Sequence, residues 1–302
     1  MKVFTIGGTG YVGRGVVRAL LAAGNQVTAL ARSQEAAARL PAGATVLPGS
    51  LSDRAVLQEG LRDADAVIYA AIAGMQGITP EDDAAIALIL EAFSGSGRPF
   101  IMTSGLGVYA GTKTPMVDED TRLDDVAPSQ AWRAALERRL VAAAAERDLR
   151  SIIIRPPIVY GEARLPPPFR AAMVEARAAG RSFYIADGAN RIPVVHVDDL
   201  GRAYALALAQ APGGALFNVV AEDVTGRDLA RALGLAVGLD GEAISLTRAE
   251  ADAALGPAAG ALAGNFVVSR VKTTAVLGWR PTESGVLYDL AHGSMKALAA
   301  SL

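Results

Sequence analysis

Val3-Phe-Thr-Ile-Gly-Gly-Thr-Gly-Tyr-Val-Gly13 decides the fold of this chain. A short run of β-branched and aromatic residues, Val3 to Ile6, meets glycines at positions 7, 10 and 13. From Tyr11 to Ala23 apolar residues recur at helical spacing, with Val12, Val16, Val17, Leu20 and Leu21 on one face. A strand that turns into a helix through Gly-x-x-Gly-x-x-Gly is built to hold a dinucleotide. Gly7 permits the tight turn, Gly10 lets a pyrophosphate approach the backbone, and Gly13 lets helix pack on strand. The unpaired N–H groups and the positive dipole end of the helix then face the phosphates. An ordinary βα turn is the competing reading, and the flanking strand and helix count against it.

Outward from this loop, strands and helices alternate to about residue 155. Residues 27–31 and 46–47 read as strands two and three. The fully apolar run 67–71 reads as a central parallel strand, and 100–103 and 151–154 as the next two. Leu57 and Leu61 mark a short helix ending near Ala64. Thr79-Pro-Glu-Asp82 combines a capping threonine, a first-turn proline and an acid three residues on, and so opens a helix. Residues 130–145 form a long helix. The expected class is α/β, a Rossmann-like doubly wound parallel sheet of order 3-2-1-4-5-6 with ligands at the carboxyl ends of its strands. After Arg155 the pattern loosens. Pro166-Pro-Pro168 breaks the chain, 169–179, 200–209 and 226–237 read as helices, and 194–197 and 215–220 as strands. The expected division is a dinucleotide-binding domain over 1–160, with returning segments near 193–211. A smaller C-terminal α/β substrate lobe is expected mainly from 161–192 and 212–302. The substrate cleft is expected between them, above Gly10 and Thr103.

At 302 residues, 51% hydrophobic and 20% charged, the chain can fill one large core or two unequal ones. Its formal net charge of −2, with no basic stretch beyond Arg138-Arg139, argues against nucleic acid as a partner. The absence of cysteine excludes disulfides, thiol nucleophiles and thiolate metal sites. Only His196 and His292 are present, so no metal is expected. The N-terminus reads as a strand, not a signal peptide, and no apolar run approaches membrane length, so a cytoplasmic protein without a membrane partner is expected. The expected partner is a small-molecule substrate. A homodimer is compatible with the pattern, but nothing in the chain fixes the oligomeric state.

Five motifs resemble the extended short-chain dehydrogenase/reductases, the group of NAD-dependent epimerases and dehydratases. The glycine loop is the first. Thr103-Ser-Gly-Leu-Gly-Val-Tyr-Ala-Gly111 is similar to the family's Ser-Ser-x-x-Val-Tyr-Gly after strand five. Arg155-Pro-Pro-Ile-Val-Tyr-Gly161 is similar to its Arg-Pro-x-x-Val-Tyr-Gly after strand six. His196-Val-Asp-Asp199 and Leu277-Gly-Trp-Arg-Pro281 resemble its late signatures. The resemblance implies oxidoreductase, epimerase or dehydratase chemistry with a nicotinamide dinucleotide. It implies cofactor contacts at Gly7, Thr9, Gly10, Tyr11, Val12 and Gly13, then at Ser50, Leu51, Ala70 and Ala71, and farther on at Thr103, Pro156 and Ile158.

The departures from the family pattern carry as much. Family enzymes use a Ser/Thr with Tyr-x-x-x-Lys at the start of the long helix. There the ammonium and the oxidised nicotinamide lower the tyrosine pKa from roughly 10, so that its hydroxyl can exchange a proton. Counting back four from Tyr109 puts Gly105 at the Ser/Thr position. Aligning Ser129-Gln-Ala-Trp-Arg133-Ala-Ala-Leu-Glu137 through its glutamate puts Ser129 in place of Tyr and Arg133 in place of Lys. An arginine can hold the ribose hydroxyls and polarise a carbonyl oxygen, but it cannot cycle a proton. Ser129, Ser104 or a water would carry the proton, with the phenols of Tyr109 and Tyr160 as the fallback. The bland readings make Ser129 a helix cap after Pro128 and pair Arg133 with Glu137 one turn on. Two functions stay open: an atypical NADP-dependent enzyme, and a catalytically silent NAD(P)-binding sensor or partner-binding module.

Substrate and cofactor class follow from single positions. Where nucleotide-sugar members carry Asn and Arg, this chain has Ile158 and Ile192, which disfavours nucleotide sugars. A smaller or more apolar carbonyl or alcohol fits better, with Trp132, Tyr109, Tyr160 and Phe183 as candidate pocket residues, although such residues are more often plain core. After strand two the chain offers Arg32 and Ser33 and no acid until Glu35, so NADP(H) is preferred and NAD(H) is the alternative. The acidic stretches 118–120 and 124–125 read as a solvated loop, and His196 as a structural group beside Asp199.

Overall fold

A computed structural model of the protein describes residues 1–71, 77–114, 116–162 and 164–302. Seven strands make the main sheet: β1 (Lys2–Ile6), β2 (Gln26–Ala31), β3 (Thr45–Pro48), β4 (Ala66–Tyr69), β5 (Pro99–Thr103), β6 (Arg150–Arg155) and β7 (Ala215–Asn218). Their order is β3-β2-β1-β4-β5-β6-β7, with every pair parallel. The winding reverses at β1, between β2 and β4, which is where such sheets open a crevice for ligand.

The order of the first six strands is the one expected. The seventh is a correction. The expected division puts 215–220 mainly with the second lobe, yet Ala215–Asn218 pairs along β6 from Ala215↔Ile152 to Asn218↔Arg155. Phe217 is buried in the same cluster as Ile152, Ile154 and Val195. An apolar run tells that a segment is extended and covered, not which sheet edge it joins.

Helices cover both faces. On one, Tyr11–Ala22 and Val197–Gln210 bury Val16, Val17, Leu20, Leu200 and Tyr204 against the sheet. These helices cross almost backbone to backbone, since a Cβ on Gly201 would stand 2.4 Å from the carbonyl oxygen of Gly15. On the other face, Pro80–Phe93 and Ala131–Glu146 bury Ile86, Ile89, Phe93, Leu136 and Leu140. Pro80–Phe93 opens with the anticipated capping box: Thr79 Oγ1 accepts from Asp82 N at 3.1 Å, and Asp82 Oδ2 accepts from Thr79 N at 2.9 Å. Each fully buried Phe or Leu in these clusters contributes about 1.5–3 kcal/mol.

The second lobe is built on a three-stranded sheet, Ile158–Tyr160, Arg191–His196 and Glu222–Thr225. Helices Pro167–Ala179 and Gly226–Ala236 enclose Tyr160, Phe169, Met173, Ile192, Leu229 and Leu233 with it. The late signatures tie the lobes together. Trp279 Nε1 donates to the Asp199 carbonyl at 2.8 Å, and the Asp199 carboxylate accepts from the backbone of Thr282 and Glu283. A small apolar cluster of Leu106, Val108, Tyr109, Val117, Val220 and Val268 fastens the segment after β5, helped by pairing of Met116–Val117 with Val267–Val268. No helix among the described residues is long and apolar enough to cross a membrane.

Candidate functional site

The glycine loop is a cradle that other residues would fill. Gly7 has φ +86°, and a Cβ there would lie 2.5 Å from the carbonyl carbon of Ala70 and 2.6 Å from Ala71 N. A Cβ on Gly13 would lie 2.0 Å from Gly7 O. Gly10 is different: a Cβ there would meet only Gly7 O, at 3.2 Å, so its Cα faces open space above the loop. No side chain caps the helix that starts at Tyr11, which leaves its first N–H groups for a ligand. This arrangement fits a dinucleotide pyrophosphate. Other expected cofactor positions gather at the same edge of the sheet. Ser50 and Leu51 follow β3, Ala70 and Ala71 follow β4, Thr103 ends β5 and Pro156 follows β6. Thr9 and Val12 are half-buried in the loop and first turn. Ile158 opens the first strand of the second lobe. Tyr11 joins the lobes: its hydroxyl donates to Gly161 O at 2.8 Å, and burial pushes its phenol well above the ordinary range.

Beyond β2, Arg32 is exposed and makes no hydrogen bond or ion pair among the described residues. Ser33 caps the short helix Gln34–Ala37, accepting from Ala36 N at 3.2 Å, and its bond with Glu35 holds that carboxyl below its ordinary value. Arg32 is therefore the open cation of the pair, and Ser33 is already committed locally.

The other end of the cleft departs from the expectations. Pro128–Gln130 forms a tight 3-10 turn, so the long helix starts at Ala131 with Gln130, not Ser129, at its N-cap. Ser129 is exposed, and its carbonyl accepts from Trp132 Nε1 at 3.1 Å. Nor does Arg133 pair with Glu137. Glu137 turns inward, 3% exposed, to Arg155 of β6, 2% exposed. Arg155 donates from Nε to Oε1 at 3.0 Å and from NH2 to Oε2 at 2.6 Å. Burial alone would lower the arginine pKa; the bonds to Glu137 reverse that and hold it charged. Ser104 donates to the same carboxylate.

Tyr109 is enclosed under this pair. Its hydroxyl accepts from Arg155 NH1 at 2.6 Å and donates to Asp118 O at 2.6 Å. Burial pushes the phenol up to about 12 against the opposing pull of Arg155 and Asn218. It braces the segment after β5 and presents no unbonded hydroxyl. Tyr160 and Ile192, expected to line the substrate pocket, are 1% and 2% exposed in the core of the second lobe. The Tyr160 hydroxyl donates to Ser284 O at 2.7 Å. The alternation of Arg191–His196 turns Ile192 and Val194 into that core.

Arg133 and Trp132 remain in the cleft. The Arg133 guanidinium carbon lies 4.4 Å from the Trp132 ring centroid and 3.8 Å from where a Cβ on Gly105 would stand. Its Nε donates to Gln130 Oε1 at 3.2 Å. Burial lowers its pKa, with the Glu137 charge opposing, and no carboxylate lies within ion-pair distance among the described residues.

For three groups the fold supplies partners that the sequence reading lacks. Thr103 Oγ1 lies 2.6 Å from the hydroxyl of Tyr204, which is fully buried on the helix behind β5. Arg155 closes an otherwise apolar run, Ile152–Ile154, and a charge there is itself a signal of a buried partner. The acidic loop is not wholly solvated either: Glu119 is half-buried, accepts from Asn218 N at 2.7 Å, and has its pKa raised by burial. Among the described residues no group of three His, Asp or Glu side chains is placed to hold a metal ion.

Residues 3–219 match the NAD dependent epimerase/dehydratase family. The chain belongs to that family. It is 32% identical over 298 residues to the uncharacterized protein C2A9.02 of Schizosaccharomyces pombe, covering 96% of this chain and 98% of that one. It is 29% identical over 227 residues to a 4-hydroxy-2-methyl-3-oxo-4-farnesyl-3,4-dihydroquinoline-1-oxide ketoreductase of Stigmatella aurantiaca, covering 72% and 67%. Its fold is that of UDP-glucuronic acid 4-epimerase from Bacillus cereus, with TM-score 0.76 at 20% identity over 100% and 99% of the two chains. The family model is that of NAD dependent epimerases and dehydratases, and the relatives with a printed activity include a ketoreductase.

Proposed function

We propose that the protein is an NADP(H)-preferring oxidoreductase of the cytoplasm that interconverts a carbonyl and an alcohol on a small substrate that is not a nucleotide sugar. The observation that carries this is the Arg133 guanidinium beside Gly105, in the turn that follows β5 at the same sheet edge as the glycine cradle. When bound, NADPH supplies the hydride that, with a proton from water, turns C=O into CH–OH and leaves NADP⁺ and hydroxide. The chain's own residues do the rest. The glycine loop and the uncapped helix end bind the pyrophosphate. Arg32 meets the 2′-phosphate. Arg133 holds the nicotinamide ribose and stabilises the oxygen as negative charge develops on it, without giving up a proton. Trp132 supports that guanidinium and gives the cleft an apolar wall.

No buried hydroxyl here is suited to deliver the proton. Ser104 already donates to Glu137, Tyr109 is bonded on both sides, and Ser129 stands in solvent. Water is the donor in this reading. The ketoreductase named above supports a ketone as the reacting group.

The test is a pair of measurements on the whole chain. Fluorescence titration should give tighter binding of NADPH than of NADH. NADPH oxidation should then be followed with a panel of apolar ketones beside UDP-glucose as the nucleotide-sugar control. Turnover of a ketone alone supports the reading. Tight NADPH binding with no turnover of any carbonyl would instead favour a dinucleotide sensor.

A further inference from the structure

Among the described residues Arg133 carries a charge with no carboxylate at ion-pair distance. In the related enzymes a cation at this helix position serves a phenol, as the resemblance implies. Here no tyrosine bonds to or stacks on Arg133 among the described residues, and the residue in the tyrosine place, Ser129, is exposed. The neighbouring carboxylate is spoken for. Glu137 is held by two bonds from Arg155 and one from Ser104. Among the described residues only Nε of Arg133 has a hydrogen bond, to a neutral amide oxygen, so the two terminal nitrogens remain as a planar fork. The guanidinium is half-buried, with its carbon over the Trp132 ring and close to Gly105. Arg133 also lies in the first turn of a helix without a capping side chain, so the backbone adds to the positive potential instead of offsetting it.

We infer that the substrate is an oxo acid, whose carboxylate is held by the Arg133 fork with the reacting ketone one or two carbons away. A desolvated guanidinium with two unbonded nitrogens is matched in shape and charge by a carboxylate, which accepts both bonds in one plane. Ribose hydroxyls are neutral and satisfy its hydrogen bonds without neutralising it. Burial that disfavours the charged arginine is relieved when an anion arrives. Gly105 matters for the same reason: a side chain there would stand within 4 Å of the guanidinium, in the space the carboxylate needs. Trp132 then covers one face of the anion site, and its ring keeps water from competing.

This inference rests on the reductase reading, and the test separates the two. Benzoylacetate and its methyl ester are offered to the enzyme with saturating NADPH, and both are also titrated calorimetrically into the protein–NADP⁺ complex. The expected result is a preference for the acid in kcat/KM of roughly tenfold to a hundredfold, the worth of charge-assisted bonds, carried by KM. Arg133→Gln should erase that preference, and Arg133→Lys should keep part of it. NADPH affinity, measured by fluorescence, should fall far less in Arg133→Gln than binding of the acid. Equal handling of acid and ester by the unmutated enzyme overturns the inference. So does an Arg133→Gln variant that loses acid and ester alike in step with NADPH. If neither compound is reduced but the acid alone binds the protein–NADP⁺ complex through Arg133, the anion site stands and the reductase reading falls. If neither is reduced and neither binds, the anion site is overturned.

Discussion

The turns after β1 and after β5 lie at the same edge of one sheet and obey different constraints. In the first, from Gly7 to Gly13, the residue is dictated by backbone crowding: Gly7 sits against Ala70 and Ala71, and Gly13 against Gly7. Nothing with a Cβ fits at either place. In the second, from Thr103 to Tyr109, the support lies below the surface groups. The Arg155–Glu137 pair, with Ser104 and Tyr109 bonded to it, fixes the segment from inside. The two turns are therefore held in different ways: the cradle by contacts that leave no room for a side chain, and the segment after β5 by a buried ion pair beneath it.

The largest effect should come from that pair. Glu137→Ala leaves the Arg155 guanidinium buried without a counter-charge and should cost about 3–5 kcal/mol, read as a lower urea midpoint. Replacing both, Glu137→Leu with Arg155→Met, should recover most of it, because two apolar side chains leave no unpaired charge. If the double variant is no better than the single one, the pair does more than cancel charge. Gly13→Ala comes next. Its Cβ would overlap Gly7 O, so helix and strand must part, costing about 1–3 kcal/mol, and NADPH binding should be lost in titration. A Gly13→Ala protein that still binds NADPH at normal affinity would break the contrast between the two turns.

Arg32→Ala sharpens the cofactor side of the comparison. Arg32 is exposed, so the lost phosphate contact should be near the low end for a charged hydrogen bond, about 1.5 kcal/mol or roughly tenfold in Kd for NADPH. NADH, which lacks the phosphate, should bind as before. Equal losses for both cofactors would make Arg32 a general electrostatic contributor and remove the basis for NADPH preference.

How much the sequence told also differs between the regions. The glycine loop, the order of the first six strands and the capped helix after Thr79 were legible, because each follows from spacing and local chemistry. The strand Ala215–Asn218 was legible as a strand only, since sheet membership depends on what packs beside Phe217. At the start of the long helix, helical spacing joins Arg133 to Glu137 on paper. In the fold Glu137 belongs with Leu136 and Leu140 on the buried side, and its partner comes from β6, eighteen residues on. Tyr160 and Ile192 look like pocket residues by their place in motifs, but strand alternation sends both into the second lobe's core. Long-range pairing of charges leaves no local trace, apart from the oddity of Arg155 at the end of an apolar strand.

Glu119 supplies the smallest and most specific test. It reaches from the acidic loop to the end of β7, where Asn218 N donates to it, and burial raises its pKa above that of a free glutamate. A carboxyl that is harder to ionise in the folded protein binds a proton more tightly there than in the unfolded chain. Between its unfolded and folded pKa values the folded state holds more protons, so stability falls as pH rises through that window. Glu119→Gln keeps an oxygen to accept from Asn218 N and removes the titration. The variant should therefore match the parent below the ordinary glutamate pKa and be slightly more stable at neutral pH, with the difference in Tm opening as pH rises through the mildly acidic range. A parent that gains on the variant as pH rises would mean that Lys272 and Arg155, which oppose the burial, win over it. The loop over Tyr109 would then be held by its charge and not by its hydrogen bond.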